Sequence, residues 1–379
     1  MTKPLAIAIL GTKGLPSRGG AERVVEALTY RSINYGHKIT IYCRKDFTPN
    51  DFFLEGVHLI RIPTIQIGFL GFFLYHLLSS IHCFFWGKYD ILHFHNVESL
   101  FTLPLLKLRF PTICTSHGKV YDTDKWPKIL KGALKYCELI FLKVRSIKTC
   151  PSLELTKYYN IISKKKDIIY IPNGVELKSL EKMRSFASID NFLKSNNLKI
   201  KNYLTAATNR VLKTKGIEDL IHAYIVSSIN YPLIIFGEFE NANLDMIPIL
   251  SKLKERKIIL HNRIPGEVLW EVIKNSLIFI FPSYVETMSM MLLEAASIGI
   301  PIVYAEIPNN YAIMQKEGIP FEPKNIHDLS IKISEAIDNY EIYLKKARTL
   351  SEEIKQKYNW DKIFIKYNQL YLKLSLNTH

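Results

Sequence analysis

The chain has 379 residues, 48% of them apolar and 22% charged, the proportions of an ordinary globular protein, which excludes disorder, collagen-like repeats and a disulfide scaffold. Five cysteines at wide spacings form no C-x-x-C pair, a pattern that fits neither a disulfide framework nor a zinc site and points to a reducing compartment. The net charge of +15 sits mostly in the first half, where residues 1–172 hold 24 basic and 12 acidic side chains, so that half attracts polyanions, with nucleic acid and an anionic membrane surface both qualifying.

In chain order, the first ten residues carry one Lys and an apolar run shorter than a secretory h-region, so a cytoplasmic location is expected. Short Ile/Val/Leu-rich runs then alternate with helical patterns, the signature of a parallel sheet flanked by helices. Strands are predicted at Leu5–Leu10, Lys38–Cys43, Val57–Ile62, Asp90–Phe94, Thr112–Ser116, Ile147–Cys150 and Ile168–Ile171. Pro172-Asn173-Gly174 is a turn cluster, and a domain boundary is placed near residue 175. The alternation resumes with strands at Tyr203–Ala207, Leu233–Phe236, Ile258–His261, Leu277–Phe281 and Ile300–Tyr304, and closes on an amphipathic helix from Asn359 to Leu374. Two doubly wound α/β domains are expected.

Ile67 to Trp86 carries no formal charge over twenty residues, about 30 Å as a helix and long enough to cross a bilayer. A span would put strands of one sheet on opposite sides of a membrane, so a buried or interfacial helix is expected instead.

Two segments carry candidate chemistry. Leu10 to Glu22 reads as a strand, a Gly-rich loop and a helix start near Ala21; glycines let backbone amides approach a phosphate and the helix N-terminus favours its charge. Neither G-x-G-x-x-G nor a Walker pattern is present, and a purely structural turn is the alternative. Phe281 to Pro301 places Glu286 in the loop before a helix expected to open near residue 288, and Glu294 about two turns further on. Amides there can bind a diphosphate while the two carboxylates accept hydroxyl hydrogen bonds from sugars.

With these motifs the sequence resembles the retaining nucleotide-sugar glycosyltransferases of family 4, which have the GT-B fold. Glu286 to Glu294 matches the family's E-x7-E, Arg210-Val-Leu-Lys-Thr-Lys215-Gly216 its R-x4-K-G, Asn173-Gly174-Val175 its interdomain turn, and Tyr358-Asn359-Trp360 the approach to its last helix. The resemblance implies two Rossmann-like domains facing each other across a cleft, over residues 1–175 with a returning helix 356–379, and over residues 176–355. It implies that Glu286 holds the donor sugar's hydroxyls, Glu294 the ribose, and Arg210 with Lys215 the diphosphate, together with Gly19, Gly20 and the stretch Thr287, Met288 and Ser289. His117, in Thr115-Ser-His-Gly118 at a strand end, is placed beside the reacting sugar, with His93 and His95 weaker candidates at the neighbouring strand end. Glu22, His95, Tyr121, Asp122 and Asp124 are acceptor-side candidates. Asp122-Thr-Asp124 also spells the D-x-D by which another glycosyltransferase fold holds a metal, but its loop is expected to face the acceptor, so acceptor contact or a plain loop is expected instead. The family usually has glycine where Asn209 and Thr287 stand here, and side chains there narrow the donor site.

The expected activity is therefore transfer of a sugar from a nucleoside diphosphate sugar to a saccharide or lipid-linked saccharide, with retention and without a divalent metal or other cofactor, in synthesis of a bacterial surface polysaccharide or lipopolysaccharide. The basic first domain is expected to sit on the anionic inner face of the cytoplasmic membrane. A nucleotide-sugar epimerase of the same fold and a basic nucleic-acid-binding protein are the alternatives; the second lacks a basic stripe interleaved with aromatics, so no nucleic-acid partner is expected.

Overall fold

Parallel strands need a crossover between each pair, so the alternation of short apolar runs with helices translates directly into two stacks of parallel pairs. A computed structural model describes residues 3–65, 67–119, 121, 127–176, 186–239 and 257–376. The chain divides into two compact units, Met1–Asn173 with Trp360–His379, and Gly174–Asn359.

The first unit runs β1 (Ala6–Leu10), α1 (Gly20–Asn34), β2 (Lys38–Arg44), β3 (Val57–Ile62), α2 (Gly68–Trp86), β4 (Ile91–His95), α3 (Leu103–Leu106), β5 (Thr112–Thr115), α4 (Lys128–Lys143), β6 (Ile147–Cys150), α5 (Leu153–Ser163) and β7 (Ile168–Tyr170). Its sheet is ordered β3-β2-β1-β4-β5-β6-β7, with Ile9 opposite His93 and His95 opposite Thr115 in parallel register. Alternate residues of β4 point to opposite faces. Leu92 and Phe94 join a core with Ala8, Leu10 and Cys114, while His93 and His95 are fully buried on the other face. All five cysteines are buried and unpaired.

The second unit continues with α6 (Phe186–Ser195), β8 (Leu204–Arg210), α7 (Ile217–Val226), β9 (Leu233–Glu238), β10 (Ile258–His261), α8 (Gly266–Asn275), β11 (Ile278–Phe281), α9 (Met290–Ile298), β12 (Ile302–Ala305), α10 (Pro308–Met314), β13 (Ile319–Phe321), α11 (Ile326–Asp338) and α12 (Tyr340–Lys357). Its sheet order is β10-β9-β8-β11-β12-β13. Phe279 and Phe281 pack into one core with Leu292 and Leu293, while Ile278 and Ile280 pack into another with Leu220 and Leu329. Helices thus cover both faces, and strands buried on both faces read as unbroken apolar runs. Val175 N–H donates to Tyr358 O at 2.7 Å and pairs with Asn359 as an isolated bridge, so the chain enters and leaves this unit at one place.

The last helix, α13 (Trp360–Leu376), belongs to the first unit. Arg31 Nε meets Asp361 Oδ1 at 2.7 Å, His37 Nε2 lies 2.7 Å from Asn368 Oδ1, and Tyr371 Oη lies 2.8 Å from His93 Nδ1. Two departures from the sequence reading are local. Strand β13 was not predicted, because Ile319-Pro320-Phe321 is three residues long and contains a proline that only an edge strand tolerates. Helix α9 opens at Met290 and not near 288, because Ser289 is its N-cap, its side chain accepting from Leu292 N at 3.2 Å.

Candidate functional site

In each sheet the strand order reverses between two neighbours, β1 and β4 in the first unit and β8 and β11 in the second. The carboxyl ends at such a reversal are where open α/β sheets bind ligands, because the two following loops leave in opposite directions and open a crevice. The sequence-predicted residues fall largely on these loops.

In the second unit the loops after β8 and β11 lock together. Tyr284 N–H donates to Thr214 O at 3.1 Å and Tyr284 Oη to Lys213 O at 2.6 Å. Gly216 has φ +64°, and a Cβ there would lie 2.3 Å from Pro282 O, so the glycine of R-x4-K-G is what allows the two loops to meet. Across that junction Lys215 Nζ lies 2.6 Å from Glu286 Oε1, which also accepts from Ser283 Oγ at 2.7 Å. These side chains are only 24% and 14% exposed, which weakens solvent screening of the pair. The loop itself is anchored from the segment after β12. Asn309 Nδ2 donates to Glu286 O at 2.7 Å, and Asn310 Nδ2 donates to Ser283 O at 3.0 Å and Ala305 O at 2.9 Å.

Arg210 is exposed at the carboxyl end of β8, opposite Glu238 of β9. Glu294 is half-buried on α9, and Thr287, Met288 and Asn209 are half-buried too. The structure therefore joins Lys215 to Glu286 directly and places Arg210 and Glu294 on the same two loop-and-helix connections.

In the first unit, Gly11 has φ +89°, and a Cβ there would lie 1.9 Å from His95 O. Asn96 Nδ2 donates to Gly11 O at 2.9 Å, so the Gly-rich loop is fastened to the end of β4. Gly19 is the N-cap of α1 and provides no side-chain cap, and among the described residues nothing beyond the helix's own backbone lies within 4 Å of where a Cβ of Gly20 would be. Space is thus open over the first residue of α1, where a helix N-terminus favours an anion. Glu22, half-buried in the first turn of α1, has Oε2 2.6 Å from a Cβ built on Gly19.

Beside this loop, three imidazoles gather. His95 Nδ1 lies 2.9 Å from His117 Nε2 with the rings stacked at 5.2 Å, and the His93 ring lies 4.0 Å from that of His95. His93 is held by Tyr371 Oη and by Thr115 Oγ1 at 2.8 Å, which continues to Thr149 Oγ1 at 2.6 Å. Burial pushes His117 down to about 4. Burial, then the nearby His117, pushes His93 down to about 3, and burial with both neighbours puts His95 well below its ordinary value. With all three pushed down by burial the rings are neutral at pH 7, and a single proton bridges His95 Nδ1 and His117 Nε2, either of which can be its donor.

Tyr121 Oη donates to Glu138 at 2.8 Å to Oε2 and 3.0 Å to Oε1, which ties it to the buried α4 carboxylate. Burial, then Glu138, raises its pKa. Asp122 and Asp124 lie outside the described residues. Sequence reading missed Ser283, Asn309 and Asn310. Ser283 could have been found from its position three residues before Glu286, whereas the two asparagines carry no local signal.

A family model described as glycosyl transferases group 1 matches residues 188–357, and one described as glycosyltransferase family 4 matches residues 18–179. The chain is 23% identical over 373 residues to an uncharacterized glycosyltransferase of Methanocaldococcus jannaschii, covering 91% of this chain and 92% of that one. It is 24% identical over 332 residues, 82% of each chain, to the UDP-Gal:alpha-D-GlcNAc-diphosphoundecaprenol alpha-1,3-galactosyltransferase of Escherichia coli. The structure of Anabaena HepE in complex with UDP-glucose superposes with a TM-score of 0.76 at 14% identity, covering 99% of this chain and 100% of that one. With one family model matching each half, the chain belongs to glycosyltransferase family 4 and has the GT-B fold.

Proposed function

We propose that the protein transfers a sugar from a nucleoside diphosphate sugar to a hydroxyl of a saccharide or lipid-linked saccharide, with retention and without a divalent metal, in synthesis of a bacterial surface polysaccharide at the inner face of the cytoplasmic membrane. The observation that carries this reading is the Lys215–Glu286 pair at the reversal point of the second sheet, with Arg210 at the same edge. Lys215 and Arg210 supply fixed positive charge to a departing diphosphate, and Glu286 accepts hydroxyl hydrogen bonds from the sugar beside it. The leaving diphosphate oxygen can take the acceptor's proton, so the reading needs no protein nucleophile. In this reading Glu294 serves the ribose, and His117 is the first unit's candidate for the transfer step. Two relatives support the substrate classes: HepE was solved with UDP-glucose, and the Escherichia coli relative is named for a UDP-galactose donor and a diphosphoundecaprenol-linked acceptor.

The test is a thermal-shift panel of nucleoside diphosphates and their sugars in EDTA. A ligand at about 100 times its Kd stabilises by about 2.7 kcal/mol, so one nucleobase series should raise the melting temperature, and less so for Arg210→Ala. A panel with no response, together with salt-sensitive retention on DNA, would overturn the reading in favour of a nucleic-acid binder. Donor turnover to an epimerised nucleotide sugar with no acceptor present would replace transfer by epimerisation.

A further inference from the structure

The hydrogen bond between His95 and His117 has a direction, and the second nitrogen of each ring decides it. His95 Nδ1 lies 2.9 Å from His117 Nε2, a contact that needs at least one bare nitrogen, so one of the two donates and the other accepts. By distance alone either can be the donor. The His95 side chain is fully buried, and its Nε2 has no hydrogen-bond partner among the described residues. His117 is half-buried, and among the described residues its one side-chain hydrogen bond is the one to His95, which leaves its Nδ1 open.

A neutral imidazole carries hydrogen on one nitrogen and a lone pair on the other. If His117 Nε2 donated, His95 would accept at Nδ1 and carry its own hydrogen on Nε2, as a buried N–H with nothing to bond. If His95 Nδ1 donates, the buried unpaired atom is only a lone pair. A buried N–H without an acceptor is the rarer and costlier of these two orphans, so the shared hydrogen belongs to His95. His117 then accepts at Nε2 and carries its own hydrogen on Nδ1. Neighbours hold His95 in that pose: the His93 ring lies 4.0 Å from it and is pinned at both nitrogens, by Tyr371 Oη of α13 and by Thr115 Oγ1, each at 2.8 Å. Burial disfavours a second proton on either ring of the pair.

We propose that His95 is a positioning residue: by donating from Nδ1 it holds His117 as the tautomer with hydrogen on Nδ1, so that His117 meets the transfer step as a hydrogen-bond donor to an oxygen of the substrate and not as a base. This rests on the place given to His117 in the proposed function and deepens it. The lone pair of His117 is spent on His95, and its open nitrogen has no lone pair to take a proton, which leaves the acceptor's proton to the departing diphosphate oxygen.

The test reads full-length protein, with its histidine ring nitrogens isotope-labelled, by long-range proton–nitrogen NMR at pH 7, with the two rings assigned by their loss in His95→Leu and His117→Ala. Both His95 and His117 should carry hydrogen on Nδ1 and none on Nε2. Hydrogen on Nε2 of either ring overturns the proposal, and the wild-type spectrum decides this whether or not the His95 variants fold. His95→Leu should lower kcat about three- to tenfold, the loss of one hydrogen bond, while leaving the Kd of the nucleoside diphosphate unchanged, because that ligand has no sugar for His117 to meet. His95→Asn, which offers an N–H at the same end of the side chain, should recover most of the loss. Wild-type kcat in His95→Leu, or equal losses in the two variants, would overturn the positioning role, as would a nucleoside diphosphate Kd that weakens in step with kcat. Tautomers as expected in a chain that turns over no nucleoside diphosphate sugar would instead remove the transferase reading and leave the direction of the bond standing.

Discussion

The two units share one topology and load its reversal point with opposite chemistry. Between β8 and β11 the loops present an ion pair, Lys215 with Glu286, on a frame of backbone hydrogen bonds. Beside β1, the ends of β4 and β5 present the stacked neutral imidazoles of His95 and His117, next to His93, which Thr115 and Tyr371 fasten to the buried interior. The sheet decides where a ligand can sit, and the short loops decide what it meets. A charged pair suits a diphosphate and its sugar hydroxyls, while neutral rings in a closed setting suit hydrogen bonding without added charge.

The comparison can be broken at the charged end first. Glu286→Ala is expected to keep its fold and lose about 10² to 10³ in kcat, as for removal of one preorganised group; steady-state kinetics with a folded control reads this out, and near-normal turnover would remove Glu286 from the site. Arg210→Ala should weaken handling of the diphosphate by about 2–5 kcal/mol, measured as kcat/KM and as nucleoside diphosphate affinity. An unchanged value for both would leave Lys215 as the cation that matters.

The neutral end sharpens the contrast through pH. His93 and His117 titrate in the folded chain at about 3 and about 4, below the ordinary value near 6.5. Below pH ~6.5 the unfolded chain therefore binds more protons than the folded one, so stability falls as pH drops from about 6.5 toward about 4 and levels off below the folded values. Urea melts across that window should show the loss in the wild type and a shallower one in His93→Phe; parallel slopes would mean that His93 is not buried neutral.

The smallest effect is expected at His95, whose buried Nε2 has no hydrogen-bond partner among the described residues. His95→Asn can keep the bond to His117 and should change stability by no more than about 1 kcal/mol, whereas His95→Leu deletes it at about 0.5–1.5 kcal/mol. Equal losses in the two variants would show that the imidazole pairing has no role in stability.

Much of this was legible in the chain because parallel strands buried on both faces are short, apolar and separated by helices. The motif spacings put Glu286, Arg210 and Lys215 on strand-end connections and Glu294 on the helix that follows, and His117 reads as a strand-end residue. What was not legible depends on neighbours far apart in sequence. The His95–His117 contact follows only once β4 and β5 are known to be adjacent, with His95 opposite Thr115. The hold of Asn309 on Glu286 spans 23 residues. Helix α2 hid its outward face for a different reason: a segment apolar on nearly every side has no periodic contrast from which to read which side is buried.

The most direct test of the charged-pair account is product formation from a nucleoside diphosphate sugar in EDTA, by the wild type and by Glu286→Gln, with the anomeric configuration read by NMR. The account predicts that the wild type is unaffected by EDTA and retains configuration, while Glu286→Gln, which keeps the shape but not the charge facing Lys215, loses most of its turnover. Activity that disappears in EDTA and returns with manganese, or a Glu286→Gln variant that transfers as well as the wild type, would contradict it.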